Sequence, residues 1–358
     1  MIQEILRDRG VPTIDATDAE SMRAAQAEYR RILQEEEYGY ALPEPESLSF
    51  EVIPPAKIDT RFAAGEATLT TVICHATVCG KEFSFPFQSL IPNKEGKHPF
   101  FVHMDFNDGL PTKYTPAEEI VNRGFAIFHT YYQNVTTDDV DFANGLAGIL
   151  YDDPDVYNRA PTAPGKIAMW AWANMRVMDY AMTLDCLDFE RCAVIGHSRL
   201  GKTALFTGMM DERFPYVIAN NSGCSGDAIT RGKVGEQIAN ITKHFPHWFC
   251  PNYYQYQNRH DALPFDQHQL IATIAPRKVI CAAALEDTWA DPDSQLLSCA
   301  AASAAWECFG QRGLVAPDRL PVAGDTFYEG TLRYHLRLGQ HYLSRYDWNL
   351  YMNALLEA

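Results

Sequence analysis

Cys192-Ala-Val-Ile-Gly-His-Ser-Arg-Leu-Gly-Lys202 is the stretch on which the reading of the fold turns. The apolar run Cys192 to Ile195 predicts a buried strand, and RLGKTALFTGMM directly behind the serine predicts a helix. A strand that passes into a helix through one tight turn is the build of a nucleophile elbow. Glycine allows the close approach, the serine stands above the sheet edge, and the helix aims its first N–H groups at whatever is attacked. An oxyanion formed there meets the backbone N–H of Arg199, with the guanidinium beside it. The pattern departs from Gly-x-Ser-x-Gly, because Leu200 stands where the second glycine would be and Gly201 follows one residue later. Serine at such a junction often does no more than cap the helix. The assignment therefore depends on partners that follow Ser198 in the chain.

Both partners are present, in the order acid then histidine. ALEDTWADP follows the strand-like VICAAA and places Glu286, Asp287 and Asp291 at the C-terminal edge of a parallel sheet, where catalytic loops collect. Asp287, about one residue into the loop, is the first choice for the acid and Glu286 the alternative. Asp291 precedes Pro292 and is read as shaping the turn. His341 in LRLGQHYLSRYDW comes after a predicted strand and a glycine, on a loop that can reach Ser198. His335, in that strand, is read as a packed side chain.

Outward from this core the chain alternates strand and helix patterns. FEVI, ATLTTVICHATV and EFSFPFQSLI read as an antiparallel meander from Phe50 to about Gln88. HPFFVHMDF, FAIFHTYY, YVIANNSG, KVICAAA and LRYHLRL supply further strands. TPAEEIVNRG, with Thr115 as N-cap, and IAMWAWANMRVMDYAMTLD are helices between them. Strands alternating with helices imply right-handed crossovers and a mostly parallel sheet covered on both faces, an α/β three-layer architecture with an antiparallel N-terminal part. Residues 1–45 read as an N-terminal helical extension and 46–358 as the catalytic domain.

The bulk composition narrows the function. With 358 residues and 47% hydrophobic side chains the chain can bury a large core, and 30 basic against 46 acidic residues leave a net charge of −16. Such a surface repels phosphate backbones and anionic lipid, so neither nucleic acid nor a membrane is an expected partner. Nine cysteines without CxxC or Cys/His metal spacing read as buried free thiols, and no HExxH-like cluster predicts a metal. The N-terminal MIQEILRDRG lacks the apolar stretch of a secretory leader, so the expectation is a cytoplasmic protein, or a secreted one whose leader lies outside this sequence.

The stretch GHSRLGK, followed by DERF, NNSGCSG, FPHWF, DALPFDQHQLIATIAPR and EDTWADP, resembles the bacterial branch of carbohydrate esterase family 15, the glucuronoyl esterases. The likeness runs from about Ile91 to the C-terminus. It implies an α/β-hydrolase fold, no cofactor and no metal, and cleavage of esters between (4-O-methyl-)glucuronic acid on xylan and a lignin alcohol. It also implies Ser198 as nucleophile, His341 as general base and then acid, Asp287 as the acid and Arg199 as oxyanion support. By the same likeness Lys202 and Glu236 hydrogen-bond sugar hydroxyls and Trp289 packs on the sugar ring. Trp248, among Phe, His and Pro, reads as a second aromatic wall. Some members carry the acid on the segment after the preceding strand, where this chain has Asn221, an amide that cannot balance an imidazolium charge. For Arg199 the competing reading is a helix-surface pair with Asp211 or Glu212, and for Glu236 an exposed helix carboxylate. The chain is expected to act as a monomer on a carbohydrate ester. A polysaccharide acetyl esterase of the acetylxylan esterase kind, or a catalytically silent sugar-binding protein on the same scaffold, are the alternative functions.

Overall fold

The alternation read in the sequence resolves into one ten-stranded sheet in the computed structural model, which describes residues 1–357. Its strands are β1 (Ser47–Ile53), β2 (Ala67–Val78), β3 (Lys81–Pro92), β4 (His98–Asp105), β5 (Ala126–Tyr131), β6 (Leu187–His197), β7 (Tyr216–Asn220), β8 (Lys278–Ala284), β9 (Thr326–Phe327) and β10 (Leu332–Arg337). In space they run β1-β2-β3-β5-β4-β6-β7-β8-β10-β9. From β5 to β10 every pairing is parallel, while β1 to β3, the β3–β5 junction and β9 are antiparallel. This is the α/β-hydrolase arrangement.

The meander forms because its side chains alternate. Val72, Cys74, Ala76 and Val78 point inward from β2 and pair with Phe87, Phe85, Phe83 and Lys81 of β3. Three phenylalanines on one strand face are thus buried against small and branched partners, the pairing that stabilises a sheet. β4, by contrast, is buried along its whole length, as expected for a strand with helices on both faces.

The helices in chain order are α1 (Ile2–Asp8), α2 (Ala19–Leu33), α3 (Ala117–Asn122), α4 (Gly145–Leu150), α5 (Lys166–Ala181), α6 (Arg199–Met210), α7 (Ile238–His244), α8 (Gln267–Ala272), α9 (Pro292–Ala302), α10 (Ala304–Glu307) and α11 (Arg345–Leu356). One face of the sheet shares a core with α2, α5, α6, α8 and α9, and the other packs on α3 and α11 through Ile120, Trp348, Tyr351 and Leu355. No helix among the described residues is long and apolar enough to cross a membrane.

Two sequence expectations change in detail. The helical N-terminal stretch is two helices, because Gly10 and Pro12 interrupt it and Asp18 starts α2 afresh with a reciprocal cap to Ser21. Ile2, Leu6, Met22, Tyr29 and Leu33 lie in the same core as the sheet, so residue 45 marks a change from helix to strand and not a gap in packing. Thr115 does not cap α3. Pro116 occupies that position, and the Thr115 hydroxyl instead donates to Asp105 Oδ2 at 2.6 Å.

Candidate active site

Four neighbouring strands of the parallel region deliver the site from their C-terminal ends: Ser198 follows β6, Asn221 follows β7, Asp287 follows β8 and His341 follows β10. This is the edge at which α/β sheets bind ligands. Ser198, Arg199, Lys202, Asn221, Glu236 and Trp289 line, with His341, an open cleft of about 360 Å³.

Ser198 holds φ 59° and ψ −127°, a conformation that a side-chain-bearing residue adopts only when its surroundings enforce it. Two glycines make room for that turn. A Cβ on Gly196 would lie 1.9 Å from the Leu200 carbonyl oxygen, and one on Gly201 would lie 2.9 Å from the Ser222 Cβ. The displaced second glycine therefore keeps a close approach, made toward β7 and its following loop. The Ser198 side chain makes no capping hydrogen bond, so helix capping does not explain the residue. The Arg199 N–H, at the first position of α6, has no intrahelical acceptor and remains available.

His341 and Asp287 meet. Nδ1 of His341 lies 2.7 Å from Oδ2 of Asp287, and Asn221 Nδ2 donates to the same oxygen at 2.8 Å. Burial of Asp287 works to raise its pKa, but the hydrogen bond and charge of His341 and the Asn221 amide outweigh it and hold the carboxyl below its ordinary value. An ionised carboxylate only accepts, so Nδ1 carries the proton and a neutral ring presents Nε2 as a base. Asp287 is 5% exposed against 43% for His341, an acid shielded behind an accessible imidazole. Glu286 points to solvent and has no side-chain hydrogen bond among the described residues, so the alternative acid is not placed to meet the histidine. Asp291 caps α9 through Ser294 and accepts from the Val234 N–H, the turn-shaping role read for it.

The loop bearing His341 is fixed from below. Arg337 donates Nε to Asp347 at 2.9 Å, Nη1 to the Leu338 carbonyl at 2.9 Å, and Nη2 to the carbonyls of Gln340 and Tyr342. His335 is buried between Tyr328 and Asp347, a packed side chain. His197 packs against the His341 ring, with centroids 4.5 Å apart and the planes tilted by 40°, and bonds Asn220. Burial, and after it the adjacent His341, push the His197 imidazole down to about 3, so it stays a neutral packing partner.

Arg199 does not pair with Asp211 or Glu212. Its Nη1 bonds Asp138, and its guanidinium carbon lies 4.6 Å from the Trp248 ring, 5.2 Å from Phe245 and 5.5 Å from Phe106. Lys202 is buried, with Nζ bonded to the Ser222 carbonyl, and burial lowers its pKa. Glu236 sits in the turn before α7 and not on a helix, half-buried, with its charge favouring the ammonium form of Lys202. Trp289 is 54% exposed at the rim, a face free to take a ligand. Trp248 lines the same cleft, as expected, but is not an open wall. It is 3% exposed, stacks on Phe245 at 3.9 Å and donates Nε1 to Asp138 at 2.7 Å, so it braces Arg199 more than it offers a platform.

The family model described as "Glucuronyl esterase, fungi" matches residues 74–310. Carbohydrate esterase MZ0003 from an unknown prokaryotic organism is 38% identical over 241 residues, 66% of this chain and 54% of the relative. The chain spans about half the length, or less, of that relative and of a Phanerochaete chrysosporium 4-O-methyl-glucuronoyl methylesterase. Among solved structures, the glucuronoyl esterase from Solibacter usitatus superposes with a TM-score of 0.81 at 29% identity, covering 95% of this chain and 94% of the other. A promiscuous esterase of the same carbohydrate esterase family from a marine bacterial metagenome gives 0.82 at 28%, covering 96% of each. Since the family model alone spans more than half of the sequence, the chain belongs to the glucuronyl esterase family.

Proposed function

We propose that this protein hydrolyses esters of glucuronic acid through an acyl-enzyme on Ser198. The observation that carries the reading is the His341–Asp287 pair at 2.7 Å, opening onto the cleft that Ser198 also lines. Ser198 Oγ attacks the ester carbonyl carbon and its proton passes to His341 Nε2. The carbonyl oxygen becomes an anion facing the Arg199 N–H and guanidinium, donors fixed before the charge develops. Asp287 holds the imidazolium that forms. The C–O bond to the alcohol then breaks, His341 returns the proton to the departing oxygen, and glucuronate remains esterified to Ser198. Water, deprotonated by the same Nε2, attacks that ester. The second anion collapses to release glucuronate and Ser198 regains its proton. Lys202, Glu236 and Trp289 are the groups that hold the sugar, the first two by hydrogen bonds and the tryptophan by its exposed face.

Family membership and a cleft with both cations and an exposed tryptophan favour a uronate ester over a simple acetate. Parallel assays on benzyl glucuronate and an acetylated xyloside test this. Wild type is expected to turn over the glucuronate ester faster; a reversed preference would make the protein an acetyl esterase. Absence of turnover on both substrates would favour a silent binding protein.

A further inference from the structure

We infer that Asp138 is the positioning residue that aims the Arg199 guanidinium at the developing oxyanion. The inference rests on Ser198 acting as nucleophile. Asp138 lies in the loop after β5, far from any part of the chain that carries the triad residues, and its side chain is 5% exposed. Both oxygens are fully engaged. Oδ1 accepts from His247 Nε2 at 2.9 Å and Trp248 Nε1 at 2.7 Å; Oδ2 accepts from Tyr132 OH at 3.1 Å and from Arg199 Nη1. A carboxylate with four donors on two oxygens cannot rotate without breaking one of them, so the guanidinium bonded to it has one orientation.

The loop itself is anchored. Lys166, fully buried at the start of α5, donates Nζ to the carbonyls of Thr137 at 2.8 Å and Asp141 at 2.7 Å, on either side of Asp138. The three aromatic rings around the guanidinium close its other exits. Nη1 is committed to Asp138 and Nε is buried without an acceptor, which leaves Nη2, without a hydrogen-bond partner among the described residues, as the donor this cleft-lining side chain has to offer. Burial works to raise the Asp138 pKa, but the hydrogen bonds from His247 and Trp248 and the Arg199 charge hold it well below the ordinary carboxylate range, so it remains ionised. An arginine on the same helix without such a partner would sample many rotamers and meet the anion in few of them.

The test is the rate at which a fluorophosphonate probe labels Ser198 in the full chain. In that step a Ser198 Oγ–P bond forms, the P–F bond breaks with fluoride leaving, the serine proton passes to His341, and negative charge builds on the phosphoryl oxygen. Asp138→Asn and Arg199→Met are each expected to slow labelling by about ten-fold or more. The double variant is expected to be no slower than Arg199→Met alone, since the carboxylate acts only through the arginine. Labelling of Asp138→Asn at the wild-type rate, or an equal further loss in the Arg199→Met background, would overturn the inference. Should Asp138→Asn not fold, as judged by its thermal midpoint, Asp138→Glu takes its place. That variant keeps the charge but moves the carboxylate by a methylene, and the same slowing is expected. Wild type that labels on Ser198 yet hydrolyses no glucuronate ester defeats the proposed substrate while the variants still decide the role of Asp138. Wild type that does not label defeats both.

Discussion

At Asp287 two donors converge on one oxygen, the His341 ring and the Asn221 amide, while Glu286 one residue earlier faces water. The difference comes from the turn after β8, which sends alternate side chains to opposite sides. Asn221, read in the sequence as an amide where some family members carry the acid, thus donates to Asp287. Asp287→Asn is expected to lower kcat on benzyl glucuronate by about 10³- to 10⁴-fold, because an amide cannot balance the imidazolium and favours the wrong tautomer. Glu286→Gln is expected to stay within about two-fold of wild type, as a solvated surface change does. A larger loss in Glu286→Gln than in Asp287→Asn would reverse the assignment. Ser198, Asp287 and His341 were legible because each sits in a loop directly after a recognisable strand, in the order such sites need. Asp138 was not. Its partner Arg199 is 61 positions away, and TTDDV reads as an ordinary acidic turn. Arg337 was hidden for a different reason, since a charged residue at a strand end looks like surface until the loop folds over it.

The elements themselves were mostly plain in the sequence, since β2, β3, β6 and α6 follow their hydrophobic periods closely. What periodicity missed is what the N-terminal helices rest on. The π-helical turn Gln34–Tyr38 that ends α2 carries Glu37 into the interior, where Gln267 Nε2 lies 3.1 and 3.2 Å from its two oxygens. Tyr38 donates to the Ser225 carbonyl at 2.8 Å, so the same turn supports the loop after β7 that borders the cleft. Burial pushes the Glu37 carboxyl up to about 8, against the opposing hydrogen bonds of Gln267 and Tyr253. The folded protein therefore keeps this proton while the unfolded chain loses it near its ordinary value. Stability falls as pH rises between those two values, by at most about 1.4 kcal/mol per pH unit. Glu37→Gln removes the titration. Thermal midpoints from pH 5 to 8 are expected to fall by a few degrees less in the variant than in wild type. Parallel slopes for the two proteins would contradict the buried, protonated state.

For the whole molecule, the class of fold was readable because helix and strand periods alternate after residue 98. The strand order was not, because β5 inserts between β3 and β4 through a crossover that no local pattern encodes. That order matters to function: it sets β6, β7, β8 and β10 within reach of one another, so residues from position 198 to 341 share a cleft. The net charge of −16 is also a property of the whole chain, and against it Arg199 and Lys202 are cations held locally in the cleft by buried partners. The proposed acyl-enzyme unites these features, and it is open to direct detection. During turnover of benzyl glucuronate, an acid quench followed by peptide mass mapping of the full chain is expected to find a glucuronoyl group on the peptide containing Ser198. An adduct on any other residue, or turnover that persists in Ser198→Ala, would contradict the account.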